Sequence, residues 1–187
     1  PSARALFWMP ECVIDPDMNT QHVVAITGAN RGLGRALVLA FAAKGNHLVI
    51  HARQSDALED VAADALDRGA ASVTKVGGDL LEADLGERLA RTCEETHGRL
   101  DTLILNAAIL GPMLPLADTP TDVFAKVMRT NVDAQVPLVT AVLPMMRAQG
   151  SGQIVWLSSG LGRFGLPRYG VYCASKHAVE GLMKTVA

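Results

Sequence analysis

Three residues near the end of the chain have the types and the spacing that proton transfer requires. Tyr172 and Lys176 stand four positions apart in VYCASKHAVEG, so on a helix they share one face. A free phenol has a pKa of about 10 and is a poor base at neutral pH, but a nearby ammonium stabilises the phenolate and lowers that pKa. Ser159 precedes the tyrosine by 13 residues and could hold a substrate oxygen. The set predicts acid–base chemistry at Tyr172.

A glycine-rich turn, TGANRGLG, stands between a strand-like and a helix-like segment. Gly28, Gly32 and Gly34 would allow a tight turn and let the backbone approach a pyrophosphate at a helix N-terminus. The spacing is GxxxGxG rather than GxGxxG, and no GK[ST] follows, which disfavours a nucleoside-triphosphate loop. Glycine clusters also occur in plain loops, so the position after a strand is what favours phosphate binding.

The residues after the second predicted strand bear on the choice of cofactor. An acid there would bind the ribose 2′-OH of NAD, but the segment IHARQS has no acid before Asp56. Arg53 stands about where a 2′-phosphate needs a cation, and Arg31 could supply a second. The pattern favours NADP(H) over NAD(H). The alternative is that both arginines are solvated surface residues.

The elements that would position these residues alternate between strands and helices. Continuous apolar strands separated by helices indicate a doubly wound α/β fold with a parallel sheet, and such sheets bind ligands at the carboxyl ends of their strands. Pro137 and Pro144 would permit kinks or breaks in the fifth helix. The predicted strands are 22–27, 47–52, 72–79, 100–108 and 152–159, and the predicted helices are 31–45, 55–69, 82–98, 121–130, 132–149 and 169–187.

Composition limits the classes of function. The chain has 187 residues and a formal net charge of −2 without a basic block, so nucleic acid and anionic membranes are poor partners. No apolar run approaches the roughly 18 residues of a membrane helix. The cysteines are scattered, which argues against a disulfide framework or a metal site and favours a cytoplasmic setting. The composition of residues 1–21 predicts an irregular arm, and the natural start of the domain is expected near Met18. Residues 22–187 are predicted to form one domain.

Taken together, the motifs resemble those of the classical short-chain dehydrogenase/reductase family. In chain order they are TGANRGLG, Asp79–Leu80, NAA at 106–108, Asn131 in RTNVD, LSSG and YCASK. The resemblance covers about residues 22–187. It implies a Rossmann-like fold and an NADP(H)-dependent oxidoreductase that acts on a carbonyl or a secondary alcohol, assembled as a homodimer or homotetramer.

The resemblance also implies a role for each matched residue. Tyr172 would be the general acid/base, Lys176 would lower its pKa and bind the nicotinamide ribose, and Ser159 would orient the substrate oxygen. Asn131 would bend its helix and hold a water of a proton relay through Lys176, although capping a helix is the alternative. The residues expected at the cofactor are Gly28, Asn30, Arg31, Gly32, Leu33, Gly34, Arg53, Asp79 (at the adenine), Leu80, Asn106 (steadying the central strand), Ala107, Ala108, Tyr172 and Lys176.

Two departures from the family pattern leave other functions open. The family usually has glycine where Ala108 stands, and its members continue through two further strands and a substrate-binding loop, so the fifth strand is expected at an uncovered sheet edge. A non-catalytic NADP(H)-binding module or an inactive truncated product is therefore an alternative. A sugar-nucleotide epimerase is disfavoured by the short glycine turn. The segments 160–170 and 108–117 are apolar enough to favour a hydrophobic substrate.

Overall fold

A computed structural model describes residues 21–186, which form a parallel sheet covered by helices on both faces. The strands are β1 (Val23–Thr27), β2 (His47–Ala52), β3 (Ser72–Gly77), β4 (Thr102–Leu105) and β5 (Gln153–Trp156), in the spatial order β3-β2-β1-β4-β5. The helices are α1 (Gly32–Ala42), α2 (Glu59–Asp67), α3 (Leu85–His97), α4 (Thr121–Met128), α5 (Gln135–Gln149) and α6 (Gly170–Met183). The predicted doubly wound α/β fold is confirmed.

The order of the strands reverses beside β1. The chain passes from β1 outward to β2 and β3, and β4 then returns to the other side of β1. In the centre of the sheet Ile26 is in register with Ile50 of β2 and with Ile104 of β4. A crevice opens at the carboxyl ends of the strands where such a reversal occurs, and ligands bind there in open α/β sheets.

The buried strands supply side chains to two cores, one on each face of the sheet. Val24 and Ile26 pack toward α1 and α2, where Val38 and Ala65 are fully buried. Val23 and Ala25 belong to the opposite cluster, with side chains from α3 and α5. Because successive strand residues point to opposite faces, an uninterrupted apolar run such as VVAIT is suited to burial on both sides.

Several boundaries differ from the sequence-based prediction. Strands β3, β4 and β5 end two or three residues earlier than predicted, because their last apolar or small residues leave the ladder to form the loops at the carboxyl edge. Helix α6 ends at Met183, short of the predicted end. Helix α5 runs through Pro144, and the break falls instead at a π-helical turn, Arg129–Asp133. The predictions for residues 1–20, including the start near Met18, and for Ala187 concern residues outside the described range.

Strand β5 lies at the edge of the sheet, as predicted, and pairs with β4 alone among the described strands. Within residues 21–186 no helix combines the length and the apolar character needed to cross a bilayer.

Helix α3 tolerates Gly86 because α5 packs directly against it. A Cβ atom at Gly86 would lie 2.5 Å from the Pro137 carbonyl oxygen. We therefore expect Gly86→Ala to lower the free energy of unfolding by about 1–3 kcal/mol through overpacking. Urea denaturation measures this.

The matched control is Gly181→Ala in α6, where an added Cβ would meet nothing within 4 Å. Removing a helical glycine there should raise stability by about 0.5–1 kcal/mol. Equal effects of the two substitutions would contradict the proposed close approach of α3 and α5.

Candidate functional site: a dinucleotide groove beside a Ser–Tyr–Lys set

A groove of about 770 Å³ opens at the carboxyl ends of the strands, at the reversal of strand order. Hydrogen bonds between the ends of β1 and β4 hold its floor. The Thr27 hydroxyl accepts from the backbone N–H groups of Asn106 (3.0 Å) and Ala107 (3.1 Å). The Asn106 side-chain amide donates in return to the carbonyls of Thr27 and Gly28, at 2.9 and 3.0 Å. Asn106 thus steadies the central strands, as the resemblance implied.

The glycine turn has the shape of a phosphate cradle. A Cβ at Gly34 would lie 2.0 Å from the Gly28 carbonyl oxygen, so only glycine permits this closure. Gly32 has φ +54° and nothing within 4 Å of its Cβ position, which leaves its backbone open to the groove. Arg31 precedes α1 without a side-chain cap, so the first N–H groups of the helix stay available to an anion. These features fit a pyrophosphate.

The groove collects most of the residues predicted at the cofactor. All of them except Tyr172 and Lys176 line it, and they come from the loops after β1, β2, β3 and β4. The lining residues that match the prediction are Gly28, Asn30, Arg31, Gly32, Leu33, Gly34, Arg53, Asp79, Leu80, Asn106, Ala107 and Ala108.

Other lining residues were not predicted: His51, Ala52, Gln54, Ala57, Gly78, Leu81, Ile109, Lys126 and Thr130. Most of them neighbour a predicted residue in the chain, which is the signal that could have found them. Lys126 and Thr130 come from the α4 side of the groove, one helical turn apart. An exposed lysine on an amphipathic helix gives no sequence signal of this kind.

Arg31 and Arg53 are exposed in the groove, and neither forms an ion pair with a carboxylate within residues 21–186. Arg35, by contrast, pairs with Asp64. Both groove arginines are therefore free to bind a phosphate.

His51 is buried, with 1% of its surface exposed. Its Nε2 atom lies 3.0 Å from the Gly78 carbonyl oxygen. Burial lowers the pKa of His51, because the charged imidazolium would lose its hydration. A neutral ring with its proton on Nε2 can donate to that carbonyl. His51 thereby anchors the loop that presents Asp79 to the groove.

Ser159 and Tyr172 are brought together beside the groove. Ser159 follows β5 by three residues, and Tyr172 stands in the first turn of α6. Burial raises the pKa of the Tyr172 phenol above its ordinary value, and hydrogen bonding with the Ser159 side chain opposes that rise. The phenol is therefore protonated at neutral pH.

Lys176 lies one turn after the tyrosine and is almost fully buried, with 2% of its surface exposed. Its Nζ donates to the Leu157 carbonyl oxygen (2.5 Å) and lies 5.6 Å from the centre of the Tyr172 ring. Burial lowers the pKa of Lys176. The structure places lysine and tyrosine together as predicted, but the lowering of the Tyr172 pKa is not seen, because desolvation of the phenol dominates.

Asn131 is fully buried in the π-helical turn and does not cap a helix. Its Oδ1 accepts from the Ile109 N–H and its Nδ2 donates to the Ile109 carbonyl, both at 2.8 Å. Nδ2 also donates to Ser175 Oγ (3.0 Å), and that hydroxyl donates to the Tyr172 carbonyl (2.8 Å). Asn131 therefore joins the loop after β4 to the helix that carries Tyr172.

These features are those of an α/β protein with a dinucleotide-type groove at the carboxyl ends of its strands and a tyrosine–lysine pair on α6. The family model described as short chain dehydrogenase matches residues 22–187. The chain belongs to this family of oxidoreductases, and the resemblance found in its motifs is confirmed.

Individual relatives agree with this assignment. The chain is 31% identical to the uncharacterized oxidoreductase YciK of Escherichia coli (strain K12), over 91% of this chain and 69% of YciK. A proposed short chain dehydrogenase from Shigella flexneri 2a, complexed with NADP, has a TM-score of 0.84 at 30% identity, over 91% of this chain and 72% of that one. An NAD⁺-bound xylitol dehydrogenase has a TM-score of 0.85 at 29% identity, over 89% and 64%. Four other curated relatives are covered over 49% to 68% of their lengths.

The hydrogen bonds between β1 and β4 give a direct test of the groove. Thr27→Val keeps the shape of the side chain but leaves the Asn106 and Ala107 N–H groups without their acceptor. We expect the free energy of unfolding to fall by about 2 kcal/mol or more, and NADPH affinity to fall with it. Urea denaturation and fluorescence titration measure the two effects.

Thr27→Ser is the matched control because it keeps the hydroxyl and loses one methyl group, at a cost of about 1 kcal/mol. If Thr27→Val matched Thr27→Ser in both measurements, the hydroxyl would not hold the groove together.

Proposed function

We propose that this protein is an NADP(H)-dependent oxidoreductase that interconverts a carbonyl compound and an alcohol. The observation that supports this most is that a groove lined by the predicted cofactor residues occurs together with Ser159, Tyr172 and Lys176, which meet near the carboxyl end of β5. A dinucleotide in that groove, with its pyrophosphate at the start of α1, would run along the carboxyl ends of the strands.

The proton step follows from the side chains of the site. Bound NADPH would supply the hydride to the carbonyl carbon. Ser159 holds the carbonyl oxygen, and Tyr172, protonated at neutral pH, donates its proton to that oxygen. The phenolate that forms lies beside the Lys176 ammonium, which stabilises it. Lys176 itself is fixed by the Leu157 carbonyl. A proton from solvent, passed through Lys176, would restore the Tyr172 phenol and leave the ammonium charged before the next turnover.

The preference for NADP(H) rests on charge. Arg31 and Arg53 line the groove without an ion-pair partner among the described residues. The loop after β2 has no acidic residue before Asp56. Lys126 adds a third cation from the α4 side. A 2′-phosphate would be held between these charges, whereas a ribose 2′-OH would lack the carboxylate that binds it in NAD sites.

The proposed substrate is an apolar small molecule. Large apolar side chains are exposed on the two segments beside the Ser–Tyr pair, namely Leu110, Met113 and Leu116 on one and Phe164 and Leu166 on the other. Such surfaces favour a substrate with a hydrophobic body.

We also propose that the protein forms a homodimer or homotetramer through α5 and α6, on which Val136 and Met183 expose 44% and 37% of their surfaces.

The proposed cytoplasmic setting accords with the free thiols of Cys93 and Cys173.

Tyr172→Phe tests the acid–base role. We expect turnover with NADPH and a panel of aromatic and aliphatic aldehydes and ketones to fall by about 10²- to 10⁴-fold, because the proton donor is lost. NADPH affinity should change by less than about threefold. Tyr169→Phe is the matched control and should keep its activity.

Undiminished turnover in Tyr172→Phe would refute the role. NADPH binding without turnover of any member of the panel by the unmodified protein would favour a non-catalytic nucleotide-binding module.

Arg53→Gln tests the choice of cofactor. Loss of a charge-assisted hydrogen bond to the 2′-phosphate should weaken NADPH binding by about ten- to a hundred-fold and leave NADH binding nearly unchanged. Fluorescence titration with both nucleotides measures this. Arg91→Gln, on the exposed side of α3, is the control for a general loss of positive charge. Equal affinity of the unmodified protein for NADPH and NADH would overturn the preference.

A further inference from the structure

The loop that leads into α6 holds an arginine in a strained backbone conformation. Arg168 has φ +72° and is the only residue other than glycine with a positive φ within residues 21–186. The left-handed region is unfavourable for a residue with a Cβ. Such strain persists where surrounding contacts impose it, and strained residues are more frequent at functional sites. The contacts that hold Arg168 in this conformation therefore indicate what its side chain does.

Arg168 bridges the two segments beside the Ser–Tyr pair. Its Nε donates to the Met113 carbonyl oxygen on the opposite segment (3.3 Å). The two segments also approach each other beside this hydrogen bond, since a Cβ added at Gly170 would lie 3.6 Å from Leu116 Cδ1. The strained backbone thus directs the Arg168 side chain toward the segment that carries Met113.

The far end of this side chain is free. Arg168 is exposed, and none of the ion pairs formed within the described residues involves it, although Asp118 stands on the opposite segment. A guanidinium carries five N–H donors, and Nε uses one of them. The four remaining donors form the planar fork that binds a carboxylate in two parallel hydrogen bonds.

The surroundings of this fork are apolar. Met113, Leu116, Phe164 and Leu166 are exposed on the two segments that Arg168 joins. A cation held between apolar side chains suits a ligand with an apolar body and one acidic group. Arg168 stands four residues before Tyr172 in the chain, and the proposed ligand would contact both side chains, with its acidic group at Arg168 and its carbonyl at Tyr172.

We propose that Arg168 is a specificity-determining residue that selects carbonyl substrates bearing a carboxylate. The inference rests on the proposed oxidoreductase function. In the step it governs, hydride passes from NADPH to the carbonyl carbon and a proton passes from Tyr172 to the oxygen. The products are NADP⁺ and the hydroxy acid, and the carboxylate itself is unchanged.

The test compares acids with neutral analogues of the same shape. The substrates are 3- and 4-formylbenzoate and their methyl esters, with NADPH oxidation followed by absorbance. For at least one isomer we expect kcat/KM to favour the acid by about tenfold or more, mainly through KM. In Arg168→Gln and in Arg168→Gly the ratio of acid to ester should fall to within about threefold of one.

Two comparisons separate recognition from folding. Arg163→Gln removes an exposed arginine from the same loop and should keep the acid-to-ester ratio. Arg168→Gly should also be more stable to urea than Arg168→Gln, because glycine adopts φ +72° without strain. Loss of the ratio in both Arg168 variants, despite their different stabilities, assigns the effect to the guanidinium.

Three results would overturn the inference. If the unmodified protein reduces the esters as efficiently as the acids, the inference fails and the oxidoreductase function stands. If Arg168→Gln keeps the preference for acids, another residue binds the carboxylate. If NADPH binds but neither acids nor esters nor the wider panel of carbonyls is reduced, the proposed function fails and the inference fails with it.

Discussion

The hydroxyl of Thr27 holds together the two strands between which the order of the sheet reverses. It accepts hydrogen bonds from two successive backbone N–H groups that follow β4. The Asn106 side-chain amide donates hydrogen bonds to two carbonyls at the end of β1. These contacts set the width of the crevice. They also bring Asn106 so near to Gly34 that a Cβ there would lie 2.7 Å from the amide nitrogen. The glycine turn and the NAA motif are thus one unit, although about 80 residues separate them.

A second set of buried polar groups extends this unit to the chemistry. Asn131 links the segment after NAA to Ser175, and Ser175 links to the Tyr172 backbone. The fixed position of the tyrosine relative to the groove therefore depends on hydrogen bonds between side chains and backbone, inside a core that excludes water. Satisfied networks of this kind favour one arrangement, because a partner lost from them leaves a buried group unpaired.

The fold and the loops that line the groove could be predicted because both depend on local patterns: apolar strands, glycines at a strand end, and a tyrosine and lysine at helical spacing. The ends of β3, β4 and β5 were predicted too late, since small and apolar residues continue past the last ladder bond into the loops. The burial of His51 and the partners of Asn131 were not predicted, because those contacts join segments 22 to 44 residues apart. The pKa of Tyr172 escaped prediction for a similar reason, since burial by distant segments outweighs the neighbouring lysine.

A crystal structure of the protein with bound NADPH would show whether the groove and the Ser–Tyr–Lys set serve one cofactor. We expect the pyrophosphate at the N-terminus of α1, beside Gly32, and the 2′-phosphate in contact with Arg31 and Arg53. We also expect the nicotinamide ring at Tyr172. A dinucleotide bound elsewhere, or one whose 2′-phosphate contacts neither arginine, would contradict this expectation.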